Sequence, residues 1–195
     1  GNVYTFIMKY ENYSFQEAAK MLADRAGVQL PEMEYNEEMR RRENKRARLL
    51  EVSKEAAKFF YYQLRSPRGK IGYDYLNQRG LSDETKHKFG LGYAGKSGAE
   101  LVQYLRSKGF EDEVIKEAGL ANYSEKRGLL SQFWNRVMYP IQDINHRVIG
   151  FGGRVMGEGE PKYLNSPETP VFDKRRNLYG LNFARTARSG NIILC

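Results

Sequence analysis

At 195 residues, with 41% apolar and 29% charged side chains, the chain is long enough to bury a real core and too hydrophobic for wholesale disorder. No apolar run approaches the roughly 20 residues of a membrane helix, nothing at the start resembles a signal peptide, and the single cysteine, Cys195, excludes an internal disulfide. A net charge of +8 suggests an anionic partner, and from Lys126 onward eleven Lys and Arg stand against five Asp and Glu. That concentration is the footprint of a nucleic-acid or nucleotide binder, although a merely solvated basic surface has the same composition.

Residues 1–28 read as two short helices. Ser14-Phe-Gln-Glu17 has the pattern of a capping box, Phe15, Ala18, Ala19 and Leu22 follow at helical spacing, and Gly27 is placed to end the helix. Pro31 then breaks the chain. From Tyr35 to Arg48 nearly every residue is charged, so this stretch reads as a linker or a solvated helix start. An apolar stripe begins at Leu49 and continues through Val52, Ala56, Phe59, Phe60 and Leu64. Its helix should stop before Pro67 and Gly69, which places the start of the core domain near Leu49.

Residues 70–110 read as short helices punctuated by Gly80, Gly90, Gly92 and Gly109, with Ser82 as an N-cap, and another short helix covers Asp112 to Ala118. Strand character follows. Val137, Tyr139 and Ile141 alternate, Pro140 places that strand at an edge or a bulge, and Asp143 to His146 reads as a hairpin turn. Leu178 to Arg188 reads as a helix ended by Gly190, and Asn191 to Leu194 as the first residues of a buried strand. Helices followed by a small mixed or antiparallel sheet make the fold class α+β.

Four segments bear on chemistry. Gly90 to Ser97 satisfies the pattern G-x-x-x-x-G-K-[ST], yet a phosphate-binding loop needs a buried strand before it, and Asp83 to Phe89 is polar and helical. A glycine-rich connection between helices is the better reading. Gly150-Phe-Gly-Gly153 lacks the spaced third glycine of a dinucleotide fingerprint and runs on into Arg154-Val-Met156. If Ile149, Phe151 and Val155 face the core, Gly150, Gly152 and Arg154 share the other face, where a phosphate backbone could approach and pair with Arg154. A bulge at Gly152-Gly153 is the competing reading.

Pro161 to Pro170 brings together a cation, an aromatic and an amide: Lys162 for phosphate, Tyr163 for stacking, Asn165 for sugar or base edges. A plain structural loop with surface charge is the alternative. Finally, Asp143, Glu158 and Glu160 form no cluster suited to two-metal chemistry, which needs ions about 4 Å apart. His87 and His146 read as surface imidazoles, so neither a catalytic residue nor a metal ligand is assigned.

Several of these segments together resemble the bacterial replicative DNA primases. Arg136-Val-Met-Tyr-Pro-Ile141, Arg147-Val-Ile-Gly-Phe-Gly-Gly-Arg154, Pro161-Lys-Tyr-Leu-Asn-Ser-Pro-Glu-Thr169 and Asn177-Leu-Tyr-Gly-Leu181 stand in that family's order, as do Tyr75 to Ser82 and Phe89 to Tyr93. The resemblance implies a nucleotidyltransferase that makes short RNA primers from ribonucleoside triphosphates on single-stranded DNA, in the bacterial cytoplasm at the replication fork. It implies zinc in an N-terminal ribbon, magnesium or manganese in a Toprim fold, no metal held by this segment, and no membrane. Its partners are the template, the triphosphates, the primer–template hybrid and, through a region outside this segment, the replicative helicase.

By position, residues 1–30 correspond to the tail of the zinc domain, 31–48 to a charged linker, 49–190 to the N-terminal part of the polymerase core, and 191–195 to the first Toprim strand. The family's basic groove maps onto Arg79, Arg154, Lys162 and Lys174, with Tyr163 and Asn165 joining Lys162 in contacts to template or incoming nucleotide. Two other functions stay open at this point: a stand-alone nucleic-acid-binding module, and an ATPase built on Gly90–Ser97.

Overall fold

The computed structural model describes residues 1–11, 13–30 and 37–185. Pro31, the end of the helix expected at 178–188 and the strand expected at 191–194 lie outside the described residues. Helices α1 (Val3–Tyr10) and α2 (Phe15–Ala26) come first. The capping box of α2 is formed: Glu17 N donates to Ser14 Oγ at 3.2 Å, and Ser14 N donates to Glu17 Oε2 at 2.8 Å. Gly27 ends the helix in the left-handed conformation, φ 66°.

Helix α3 (Glu37–Leu64) is continuous across the charged stretch and the apolar stripe. Its first turns are exposed, and burial begins at Leu49 and continues through Val52, Ala56, Phe60 and Leu64. It stops before Pro67, as the missing N–H of proline requires. Next come α4 (Lys70–Gln78), α5 (Asp83–Lys88), β1 (Gly92–Ala94), α6 (Gly98–Ser107), α7 (Asp112–Glu117), the hairpin β2 (Ala121–Ser124) and β3 (Gly128–Ser131), β4 (Arg136–Gln142), β5 (Val148–Val155), β6 (Tyr163–Asn165) and the short α8 (Leu181–Ala184). Ser82 caps α5, accepting from Thr85 N at 3.1 Å.

The main sheet is antiparallel, in the order β1-β4-β5-β6, and α3 lies across one of its faces. Phe60 of α3 meets Phe151 and Phe133 nearly edge to face, with centroids 5.4 and 6.4 Å apart. This trio anchors the core, since a fully buried Phe contributes about 1.5–3 kcal/mol. Gly92 lets β1 approach α3, because a Cβ there would stand 2.6 Å from Phe60 Cβ.

Three expectations change. The Gly90–Ser97 connection contains a strand: Tyr93 and Ala94 are buried, and the backbone of Gly92–Ala94 pairs with Met138–Arg136. Amides held in a ladder cannot cradle a phosphate, so the ATPase reading fails on geometry. Of the edge and the bulge expected at Pro140, the edge fails because β4 is interior, while a register shift does follow at Ile141/Gln142; the proline is tolerated because β1 has already ended where Pro140 would have needed a donor. The bulge of β5 lies at Ile149, where the register shifts beside Ile141 and Gln142, while Gly152 and Gly153 pair regularly. The β2–β3 hairpin had no expectation behind it.

At the β4–β5 turn, Asp143 Oδ1 accepts from the backbone N–H of Asn145 and Arg147 at 2.9 and 3.0 Å. Arg147 there reaches both Asp143 (2.8 Å) and Glu17 of α2 (2.6 Å), and Arg185 pairs with Glu11 at 3.0 Å. The N-terminal helices are thus seated on this end of the sheet.

Candidate nucleic-acid interface

Strand alternation divides β4–β5–β6 into two faces. Met138, Phe151, Gly153 and Val155 turn toward α3. Val137, Arg154 and Tyr163 lie in register on the opposite face, followed along it by Tyr139, Gly152 and Asn165. Helix α4 borders this second face. Its Gly72 fits against Tyr93 and Val137, and the four-residue spacing of Tyr75 and Arg79 puts both over the sheet.

The guanidinium of Arg154 lies between two rings, 4.6 Å from the centroid of Tyr75 and 5.9 Å from that of Tyr163. Its Nη1 donates to Val155 O at 2.5 Å, and its Nε is buried without a partner. Two cation–π contacts, each about 0.5–1 kcal/mol, hold the side chain in place while its remaining donors face a cleft. Ile71, Asp74, Tyr75, Gln78, Arg154, Met156 and Gly157 line that cleft of about 450 Å³. Tyr139 joins the group: burial of its hydroxyl, with Tyr75 and Tyr163 adding to it, pushes its pKa up to about 12 against the pull of Arg154 and Arg79. It therefore remains a neutral hydrogen-bond donor at physiological pH.

A buried arginine supports the rim. Arg136 is 2% exposed, and its Nη1 donates to Pro161 O at 2.8 Å, with longer contacts to Gly153 O and Lys162 O. Val155 N also donates to Lys162 O at 3.1 Å. The backbone carrying Lys162 and Tyr163 is therefore fixed, while the Lys162 side chain is exposed and Tyr163 is 64% exposed. Rigid backbone under mobile tips suits a surface that must grip a flexible polyanion.

The residues expected at the site are distributed unevenly. Arg154 lies over the Tyr163 ring, and both, with Arg79, act electrostatically on the Tyr139 phenol. Lys162 and Asn165 flank Tyr163, and Asn165 sits over Gly152, whose added Cβ would stand 3.1 Å from Asn165 Oδ1. Lys174 stands apart, on a loop in which its N–H donates to Glu168 at 3.1 Å. Gly150, expected on the open face, is covered by the Phe172 ring, 3.1 Å from where a Cβ would be; the approachable strip thus begins at Gly152. Among the described residues Arg79, Arg154, Lys162 and Lys174 form no ion pair, whereas Arg106, Arg147 and Arg185 do.

Tyr75 and Tyr139 belong to the site and were not singled out. Their signal was available: Tyr75 stands one helical turn before Arg79, and Tyr139 shares the alternation of Val137. Among the described residues no three His, Cys, Asp or Glu side chains could together hold a metal ion, and no helix is long and apolar enough to cross a membrane.

A family model described as the N-terminal domain of the DNA primase catalytic core matches residues 59–185. The DNA primase of Clostridium acetobutylicum is 40% identical over 194 residues, covering 100% of this chain and 32% of the relative. A DnaG primase catalytic domain solved with single-stranded DNA bound is 37% identical with a TM-score of 0.68, over 73% of this chain and 46% of the other. The zinc-binding and RNA polymerase domains of the Aquifex aeolicus primase are 33% identical with a TM-score of 0.64, over 93% of this chain and 42% of theirs. The chain therefore spans about a third of the curated relative's length. With the family match extending over residues 59–185 and relatives about 40% identical along the chain, the chain belongs to the DNA primase family.

Proposed function

We propose that this chain is the template- and nucleotide-holding part of a primase that joins ribonucleoside triphosphates on single-stranded DNA into short RNA primers. The observation that carries this reading is the Tyr75–Arg154–Tyr163 sandwich on an open sheet face, flanked by Lys162 and Asn165 and by Arg79 on α4. Cations position a phosphate backbone, and aromatic faces stack bases of any sequence. The likeness to a catalytic domain solved with single-stranded DNA supports the same reading.

In this account residues 1–30 are the tail of a zinc-binding domain, 31–48 a charged linker, 49–190 the N-terminal part of the polymerase core, and 191–195 the start of a Toprim strand. The greater share of this chain matched when a zinc-binding domain is present, 93% against 73%, favours that assignment of the N-terminal helices. The intact enzyme would use magnesium or manganese on carboxylates that the described residues do not supply, and zinc in its ribbon. It would work in the cytoplasm at the replication fork, with the primer–template hybrid and the replicative helicase as its partners.

The test is joint replacement of Arg79 and Lys162 by Ala in the full-length enzyme. Charge-assisted contacts contribute about 1.5–3 kcal/mol each, so primer synthesis should fall on the order of 100-fold or more, while the unfolding free energy moves by no more than about 0.5 kcal/mol. Unchanged priming would overturn the assignment.

A further inference from the structure

Trp134 is the single tryptophan of the chain, and it is 45% exposed. It stands between two anchored neighbours. Phe133 is buried in the aromatic core, and Asn135 turns the backbone with φ 48°, a left-handed conformation that Asn tolerates better than most residues.

Asn135 is held on every side. Its N–H donates to Gly95 O at 2.8 Å, its Oδ1 accepts from Tyr93 OH at 2.8 Å, its Nδ2 donates to Met156 O at 2.7 Å, and its carbonyl accepts from Met156 N at 2.8 Å. The indole between Phe133 and Asn135 is therefore presented on a rigid backbone, and among the described residues no ring stacks on it and no hydrogen bond holds its N–H.

Asn135 links this position to the cleft. Met156, bonded twice to Asn135, lines the cleft beside Arg154 and Tyr75. On the other side, the Gly95 carbonyl that holds Asn135 is followed directly by Lys96, an exposed cation with no ion pair among the described residues. The nearby acids are neutralised: Glu100, beside Gly95, is paired with Arg68 at 3.2 Å, and Asp74 in the cleft with Lys70 at 2.7 Å. An unpartnered indole, an exposed lysine and the cleft that holds Arg154, linked through one asparagine, suit a strand of unpaired bases.

We propose that Trp134 and Lys96 form a further subsite for single-stranded nucleic acid, in which a base stacks on the indole beyond the Arg154 cleft and Lys96 meets the adjoining phosphate. This rests on the nucleic-acid reading of the cleft and extends its footprint past Met156. It also gives a role to the Gly95-Lys96 segment, whose resemblance to a phosphate-binding loop the strand geometry removes. Stacking explains the commitment to single strands, since a duplex keeps its base faces covered.

Because there is one tryptophan, intrinsic fluorescence reports on this subsite alone. The chain is titrated with a fluorescein-labelled oligothymidylate of about 16 nucleotides, following dye anisotropy with the label and tryptophan emission with an unlabelled copy. Saturable quenching should coincide with the anisotropy curve. W134A should bind about five-fold or more weakly, W134F should keep most of the affinity, and K96A should lower the salt slope by about 0.7. Far-ultraviolet circular dichroism checks that each variant is folded, and W134L, which removes the ring but keeps apolar bulk, carries the comparison if W134A is not. Normal anisotropy binding without quenching, together with W134A and K96A indistinguishable from wild type, would overturn the subsite and leave the cleft reading intact. No oligonucleotide binding by the wild-type chain would overturn both.

Discussion

The two faces of the β4–β5 ribbon use the same residue types for opposite purposes. On the side toward α3, Phe151 meets Phe60 and Phe133 edge to face in a buried cluster, and Gly153 is needed for packing, since a Cβ there would lie 3.0 Å from Arg136 Cδ and 3.3 Å from Met138 Sδ. On the other side the rings of Tyr75 and Tyr163 stack on a cation instead of on each other, and a Cβ at Gly152 would be crowded by the tip of Asn165 at 3.1 Å, with Tyr139 at an ordinary 3.9 Å. Aromatics that bury area stabilise the fold. Aromatics left half-open around an arginine contribute little to stability and offer their faces to a ligand.

The widest separation of the two faces should come from single truncations. F60A should cost about 3–5 kcal/mol in urea unfolding, a large part of the 5–15 kcal/mol margin usual for a domain. R154A should cost less than about 2 kcal/mol, the sum of its two cation–π contacts. Comparable losses for both would mean that the Arg154 face is simply a second core.

The paired glycines sharpen the comparison further. G153A should destabilise by about 1–3 kcal/mol through overpacking against Arg136, Met138 and Phe133. G152A should stay within about 0.5 kcal/mol, because the tip of Asn165 can rotate aside. A reversed order would contradict the assignment of faces.

The smallest effect is a titration. Tyr139, raised to about 12 in the folded chain, has an ordinary pKa of about 10 when unfolded. The phenol contributes stability that is fully present below pH of about 10, and that contribution is lost as pH rises through the folded value of about 12. Y139F should reduce this alkaline loss, measured as unfolding free energy against pH, and take one phenol out of the late phenolate titration that Tyr179, also raised by burial, continues to supply.

Much of this division was readable in the sequence where local rules operate. The capping box at Ser14 and Glu17, the stripe from Leu49 to Leu64, the Asp143–His146 turn and the alternation that puts Arg154 opposite Phe151 and Val155 all follow from spacing. What was hidden depends on distant contacts. A three-residue strand such as β1 has no period of its own, and only pairing with Met138–Arg136 makes it a strand. Likewise, nothing local reveals that Phe172 covers Gly150, or that Tyr75, sixty-four positions before Tyr139 in the numbering, shares its environment. Arg136 reads as another basic residue until its burial shows it bracing the Pro161–Lys162 backbone.

The central claim is that the Arg154 face grips a polyanion, and the salt dependence of single-stranded DNA binding tests it most directly. Three phosphate contacts, from Arg79, Arg154 and Lys162, give a slope of log K against log salt near −2, so affinity should fall about 20-fold between about 50 and 200 mM salt, and R154A with K162A should flatten the slope by about 1.4. A flat response in the wild-type chain, or an unchanged slope in the double variant, would contradict the account.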